Sequence, residues 1–146
     1  MTPFLLIAVL AGAGLAFQAV INTRLSVALG SSLWAAAVQV LVGLVLLAIW
    51  LGVARQPLPS FAGASRLPWW IWTGGLLGTA YVVTVIVVTR PLGAALMVAS
   101  VIVGQTFASL IIDHYGWFGV AVHRISTLRV VGALLVVLGV VLVRWR

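Results

Sequence analysis

The chain has no cysteine, no lysine and no glutamate, and Asp113 is its single acidic residue. Without cysteine it can form no disulfide, no thiolate nucleophile and no zinc finger. One aspartate and two histidines, His114 and His123, supply neither a catalytic constellation nor a third ligand for a metal ion. The missing residue types therefore predict a protein that is not an enzyme and that needs no cofactor and no metal.

Charged residues of either sign are scarce. They make up 6% of the chain and hydrophobic residues 64%, with a mean hydropathy of +1.32, whereas a soluble domain carries about 25% charged residues. This composition predicts an all-α integral membrane protein whose main partner is the lipid bilayer. The formal net charge of +7 does not indicate nucleic-acid binding, because the arginines lie singly at predicted helix ends instead of clustering on one face.

Five apolar runs are separated by residues that end helices. A polar, proline-rich connection follows the second run, and the dipeptide Arg90-Pro91 separates the third from the fourth, since a residue before proline disfavours the helical conformation. The last run is short for a ~30 Å hydrocarbon core, so its flanking arginines are expected to reach the headgroups. The sequence predicts one membrane domain, 1–146, with approximate helices 3–24, 33–53, 69–89, 93–112 and 129–144 and an interfacial segment over 113–128.

The eight arginines divide evenly between the two sides of the membrane that five crossings create. One side carries Arg24, Arg90, Arg144 and Arg146, and the other carries Arg55, Arg66, Arg124 and Arg129. A chain with one fixed orientation normally has an excess of arginine and lysine in its cytoplasmic loops. The tie predicts that the chain inserts in both orientations and pairs with itself as an antiparallel, dual-topology homodimer of ten helices.

Polar side chains inside the predicted helices follow helical spacing. Gly14, Gln18 and Asn22 recur at four-residue intervals and share one face of the first helix. Carboxamides are costly in lipid, so this face is expected to point inwards. The candidates for binding a solute are Gln18, Asn22, Gln39, Tyr81, Ser100 and Gln105. The alternative role for each is a hydrogen bond that joins two helices, worth about 0.6 to 2 kcal/mol.

Two further sets of residues have candidate roles. Asp113 and His114 are adjacent at a predicted helix end, and we weigh a solvated interfacial pair against a proton-linked gate. Glycines at helical spacing allow two backbones to approach closely, as in a GxxxG motif. The glycines at which helix packing is predicted are Gly14, Gly74, Gly78, Gly104, Gly132 and Gly139.

Four stretches of the sequence form a recognisable pattern. The most specific is VGQTFASLIIDHYGWFG at 103–119, followed by GAGLAFQAVINTRL at 12–25, WWIWTGGLLGTAYV at 69–82 and RPLGAAL at 90–96. These stretches resemble the YdcZ family of the drug/metabolite transporter superfamily. The resemblance implies a five-helix half-transporter of the bacterial inner membrane. It also implies chains that occur with dual topology, as oppositely oriented pairs or as fusions that complete an inverted repeat.

The first helix differs from that of the small multidrug-resistance branch of the superfamily. Members of that branch look like four-helix chains that carry an essential glutamate in their first helix. Gln18 and Asn22 offer no counter-charge for a buried cation, which favours a neutral polar or anionic solute. We predict a transporter of a small metabolite or drug-like solute that works by alternating access as an antiparallel homodimer. The alternatives are a non-transporting membrane scaffold or accessory subunit, and a half-transporter that requires an oppositely oriented partner chain.

Overall fold

All regular secondary structure of the protein is helical within the residues that its computed structural model describes, 2–58 and 67–145. The main elements in chain order are α1 (Thr2–Ala28), α2 (Ser32–Val53), α3 (Thr73–Tyr115) and α4 (Thr127–Arg144). Short 3-10 helices precede α3 at Trp69–Trp72 and follow it at Trp117–Gly119. These four helices are long and apolar enough to cross a membrane, which agrees with the all-α membrane class predicted from the composition.

Local sequence signals fix where α2 and α4 begin. The hydroxyl of Ser31 accepts a hydrogen bond from the Trp34 backbone N–H at 3.3 Å, and that of Ser126 accepts one from the Arg129 N–H at 3.4 Å. Serine is favoured at this position because its oxygen satisfies a backbone donor that the first helical turn leaves unpaired. Between α1 and α2, Gly30 takes a left-handed conformation with φ of 66°, which allows a sharp helix end.

A backbone break divides α3. Gly93 has φ of 75° and ψ of 165°, a conformation that is open to glycine and almost closed to other residues. It lies two residues after Pro91, whose ring removes a backbone donor from the helix. The boundary that the sequence predicts between its third and fourth helices falls at this break.

Packing divides the chain into two compact units, Met1–Arg90 and Pro91–Arg146. In the first unit, α1, α2 and the first part of α3 enclose a small apolar cluster centred on Ala35, Ala36 and Ile86. Alanines allow helices to approach closely, which is the usual basis of helix packing in lipid. Most large apolar side chains remain exposed, as expected where lipid is the solvent.

Candidate functional site

A pair of carboxamides joins α1 to α2. The Asn22 Nδ2 group donates a hydrogen bond to Gln39 Oε1 at 3.1 Å. Asn22 is only 6% exposed, and Gln39 is half-buried. Both helices are apolar and long enough to span a membrane, so the pair satisfies polar groups that lipid cannot. The structure thus brings together two of the six candidates that were selected from the sequence.

The polar face of α1 begins one turn earlier, at Gln18. Its side chain is half-buried and lies four residues before Asn22, on the same face of the helix. Each carboxamide has two N–H donors and an acceptor oxygen, so the single bond between Asn22 and Gln39 leaves bonding capacity for a solute. Gln18 and Asn22 thus place two carboxamides on this face of α1.

The same face ends in a residue that sequence reasoning missed. Ser26 is fully buried, and its hydroxyl donates to the Thr23 carbonyl at 2.8 Å. It also accepts a hydrogen bond from Arg90 Nη2 at 2.9 Å. The signal was present, because Ser26 follows Asn22 by the same four-residue interval that links Gln18 to Asn22.

The contact with Ser26 gives Arg90 a structural role. Arg90 immediately precedes Pro91 in α3, and its guanidinium joins this part of α3 to the end of α1. Hydrogen bonds from a charged donor are stronger than those between neutral groups. The first unit is therefore held by a ladder of polar contacts that runs from the carboxamide pair to the point where α3 is interrupted.

The other three solute-binding candidates lie outside the polar face of α1 and its contact with Gln39. Tyr81 is half-buried in the first unit. Ser100 and Gln105 belong to the second unit, where both are exposed. The Ser100 hydroxyl donates to the Leu96 carbonyl of its own helix at 2.7 Å, a bond that uses its one donor locally.

Asp113 and His114 accept hydrogen bonds from residues that follow α3. Asp113 Oδ2 accepts a hydrogen bond from Arg129 Nη1 in a salt bridge of 3.2 Å, and each of the two side chains is 36% exposed. His114 Nδ1 accepts a hydrogen bond from the Ile125 backbone N–H at 3.1 Å. The two neighbours therefore bind different parts of the following segment, and the proton-linked gate at this pair stays a prediction.

The six glycines predicted to mediate packing are open. A Cβ atom placed on any of them meets no side chain, and no backbone outside its own helix, within 4 Å among the described residues. Small residues at such positions leave room for a second backbone. Packing of these glycines against another copy of the chain stays a prediction. They are Gly14, Gly74, Gly78, Gly104, Gly132 and Gly139.

Comparison with known proteins places these features in a family. A family model described as "Putative inner membrane exporter, YdcZ" matches residues 3–142. No curated protein and no solved structure matches the chain. The match covers nearly the whole sequence and confirms the resemblance and the inner-membrane location inferred from the residues.

Proposed function

Because the chain belongs to the YdcZ family of inner-membrane exporters, we propose that two oppositely oriented copies form a ten-helix transporter that exports a small polar solute by alternating access. The observation that carries this proposal is the hydrogen-bonded pair of buried Asn22 and half-buried Gln39 inside two apolar helices. Polar groups inside the bilayer are expensive and commonly mark a solute path. In transporters built from inverted repeats, the binding site lies near the midplane where the repeats meet.

The length of α3 supports five crossings. Its 43 residues correspond to about 65 Å of helix at 1.5 Å per residue, roughly twice the ~30 Å hydrocarbon core. The interruption at Gly93 divides α3 into two stretches, each long enough for one crossing. Since five is an odd number, the two ends of the chain lie on opposite sides of the membrane.

The charge distribution supports two orientations. With five crossings, four arginines lie on each side of the membrane, so the positive-inside rule favours neither orientation. Arg66 and Arg146 lie outside the described residues. An antiparallel pair of five-helix chains has the symmetry of an inverted repeat, with the solute site shared between the two copies.

The chemistry of the polar face favours a neutral polar or anionic solute. Gln18, Asn22 and Gln39 carry no charge, and the single acidic side chain, Asp113, is bound to Arg129 at the end of α3. A buried organic cation would have no counter-charge on this face, and an unpaired buried charge is strongly unfavourable. Because carboxamides both donate and accept, they can hydrogen-bond to hydroxyl, amide and carboxylate groups. Gln105, Ser100 and Tyr81 are further proposed contacts.

Efflux from proteoliposomes tests this function. Vesicles are loaded with a mixture of sugars, amino acids and carboxylic acids, and the solutes that leave are identified by mass spectrometry. The Gln18→Leu variant is expected to lose most of the efflux while retaining the dimer, because the substitution removes both donor and acceptor from the polar face of α1. Gln105→Leu tests in the same way whether Gln105, in the second unit, contacts the solute.

The matched control is Thr84→Val, which also replaces a polar group with an apolar one inside a membrane helix. The Thr84 hydroxyl is exposed and donates to the Ala80 carbonyl of its own helix at 2.8 Å, so efflux should persist in this variant. Equal efflux from the Gln18 variant and the parent would contradict the proposed site. Retention of every solute by the intact parent dimer would instead favour a non-transporting scaffold.

A further inference from the structure

The segment that joins α3 to α4, residues 116–126, is here called the clasp. We propose that the clasp is a pH-sensitive device that stays closed while His114 is neutral and opens when His114 is protonated. The proposal rests on the contacts within the second unit and is independent of dimer formation and of solute transport. It assigns the proton-linked role to the histidine and a structural role to Asp113.

The closed state needs an unprotonated nitrogen on His114. The Ile125 backbone N–H donates to Nδ1 of this side chain at 3.1 Å, so Nδ1 must carry a lone pair and the ring proton must lie on Nε2. A protonated imidazole has N–H groups at both nitrogens and accepts no hydrogen bond. Protonation would therefore place two donors against each other and break the bond that holds the end of the clasp to α3.

Histidine is suited to this role because it is the side chain that ordinarily changes charge between about pH 5 and pH 8. The other titratable and charged groups of the second unit near this end of α3 are Asp113, Tyr115, His123, Arg124 and Arg129. Asp113 is already neutralised by Arg129 at 3.2 Å. The edge of the Tyr115 ring contacts the imidazole with centroids 4.8 Å apart, and this contact adds no charge.

The start of the clasp is a tight turn. Phe118 adopts a left-handed conformation with φ of 61°, which is unfavourable for a bulky side chain. At Gly116, φ is 63°, and a Cβ atom would lie 2.7 Å from Val122 Cγ2. This strained turn lies away from Ile125, where the bond to His114 is made, so the proposed release concerns the other end of the clasp.

Two further contacts explain why the response is opening of the clasp and not loss of the fold. The His123 backbone N–H donates to the Asp113 carbonyl at 2.8 Å, and Arg129 Nη1 donates to the His123 carbonyl at 3.3 Å. Neither bond involves the imidazole of His114. Protonation therefore frees the region around Ile125 while these contacts keep α4 anchored.

Spin-label mobility tests the proposal in the full chain. The absence of cysteine permits a single label at Ile125→Cys, an exposed position in the clasp whose backbone N–H makes the bond to His114. The label is attached at neutral pH, the protein is placed in lipid nanodiscs, and electron paramagnetic resonance spectra are recorded from about pH 8 to pH 5. The mobile fraction is expected to increase severalfold as the pH falls.

Three variants in the labelled background identify the group responsible. His114→Asn places an oxygen acceptor near the position of Nδ1 and does not titrate, so its label should remain immobile throughout. His114→Ala should be mobile throughout, and His123→Asn should keep the transition of the parent. A parent spectrum that does not change with pH would overturn the proposal, as would a transition that survives in His114→Asn or disappears in His123→Asn.

Discussion

Replacing Gly93 with alanine is expected to destabilise the protein by about 1–3 kcal/mol. The cause is the backbone conformation, with φ of 75° and ψ of 165°, which glycine adopts freely and a residue with a Cβ atom does not. Apart from the neighbouring backbone, no atom of the described residues lies within 4 Å of the position that the new Cβ would occupy, so contact with a distant residue is not the reason. The apparent midpoint of thermal unfolding in detergent, followed by tryptophan fluorescence, measures the loss.

Gly43→Ala is the matched control for this prediction. Gly43 lies within α2, and its Cβ position is equally open, but its backbone is helical. Alanine is favoured over glycine within a helix by about 0.5–1 kcal/mol, so this variant should unfold at the same temperature as the parent or slightly higher. Equal losses in both variants, or no loss in Gly93→Ala, would contradict the strained break in α3.

Removing a single arginine is expected to shift the orientation of the chain strongly. Arg55→Gln leaves three arginines against four, with the excess on the side of the C-terminus, and should place the C-terminus in the cytoplasm. Arg144→Gln reverses the excess and should place it in the periplasm. The measurement is the ratio of C-terminal reporters that are active only in one compartment, which should change severalfold in opposite directions.

The control for these variants is Gln56→Ala, which changes the neighbour of Arg55 without changing the charge and should leave the ratio at the parent value. Shifts of both arginine variants in the same direction would contradict the assignment of these residues to opposite sides. If an antiparallel pair is the working unit, each biased variant should also lose efflux when expressed alone. Coexpression of the two variants should restore efflux because together they supply both orientations.

Much of the helical framework could be predicted because it depends on local sequence. Apolar runs specify helices in lipid, and Arg90-Pro91 predicted an interruption that the structure places at Gly93. Each of these features depends on residues within a few positions of one another. The helix bounds differ at the ends, and α1 continues past Arg24 to Ala28, because no helix-ending residue occurs before Gly30.

Contacts between elements could not be predicted in the same way. Helical spacing indicated that Gln18 and Asn22 share a face, but the choice of Gln39 as the partner of Asn22 depends on how α1 and α2 are rotated and offset. The Asp113–Arg129 bridge joins residues 16 positions apart across a turn whose left-handed Phe118 no sequence rule selects. These interactions are set by tertiary packing, which overrides local pattern.

We propose that one chain occupies the membrane in both orientations. This dual topology is tested most directly by fusing matched cytoplasm-active and periplasm-active reporters after Arg146 of the unmodified chain and expressing both fusions at low level. Comparable activity of the two reporters is the predicted result, because four arginines on each side give no preference. Activity of one reporter alone would contradict the antiparallel homodimer and show that the chain has a single, fixed topology.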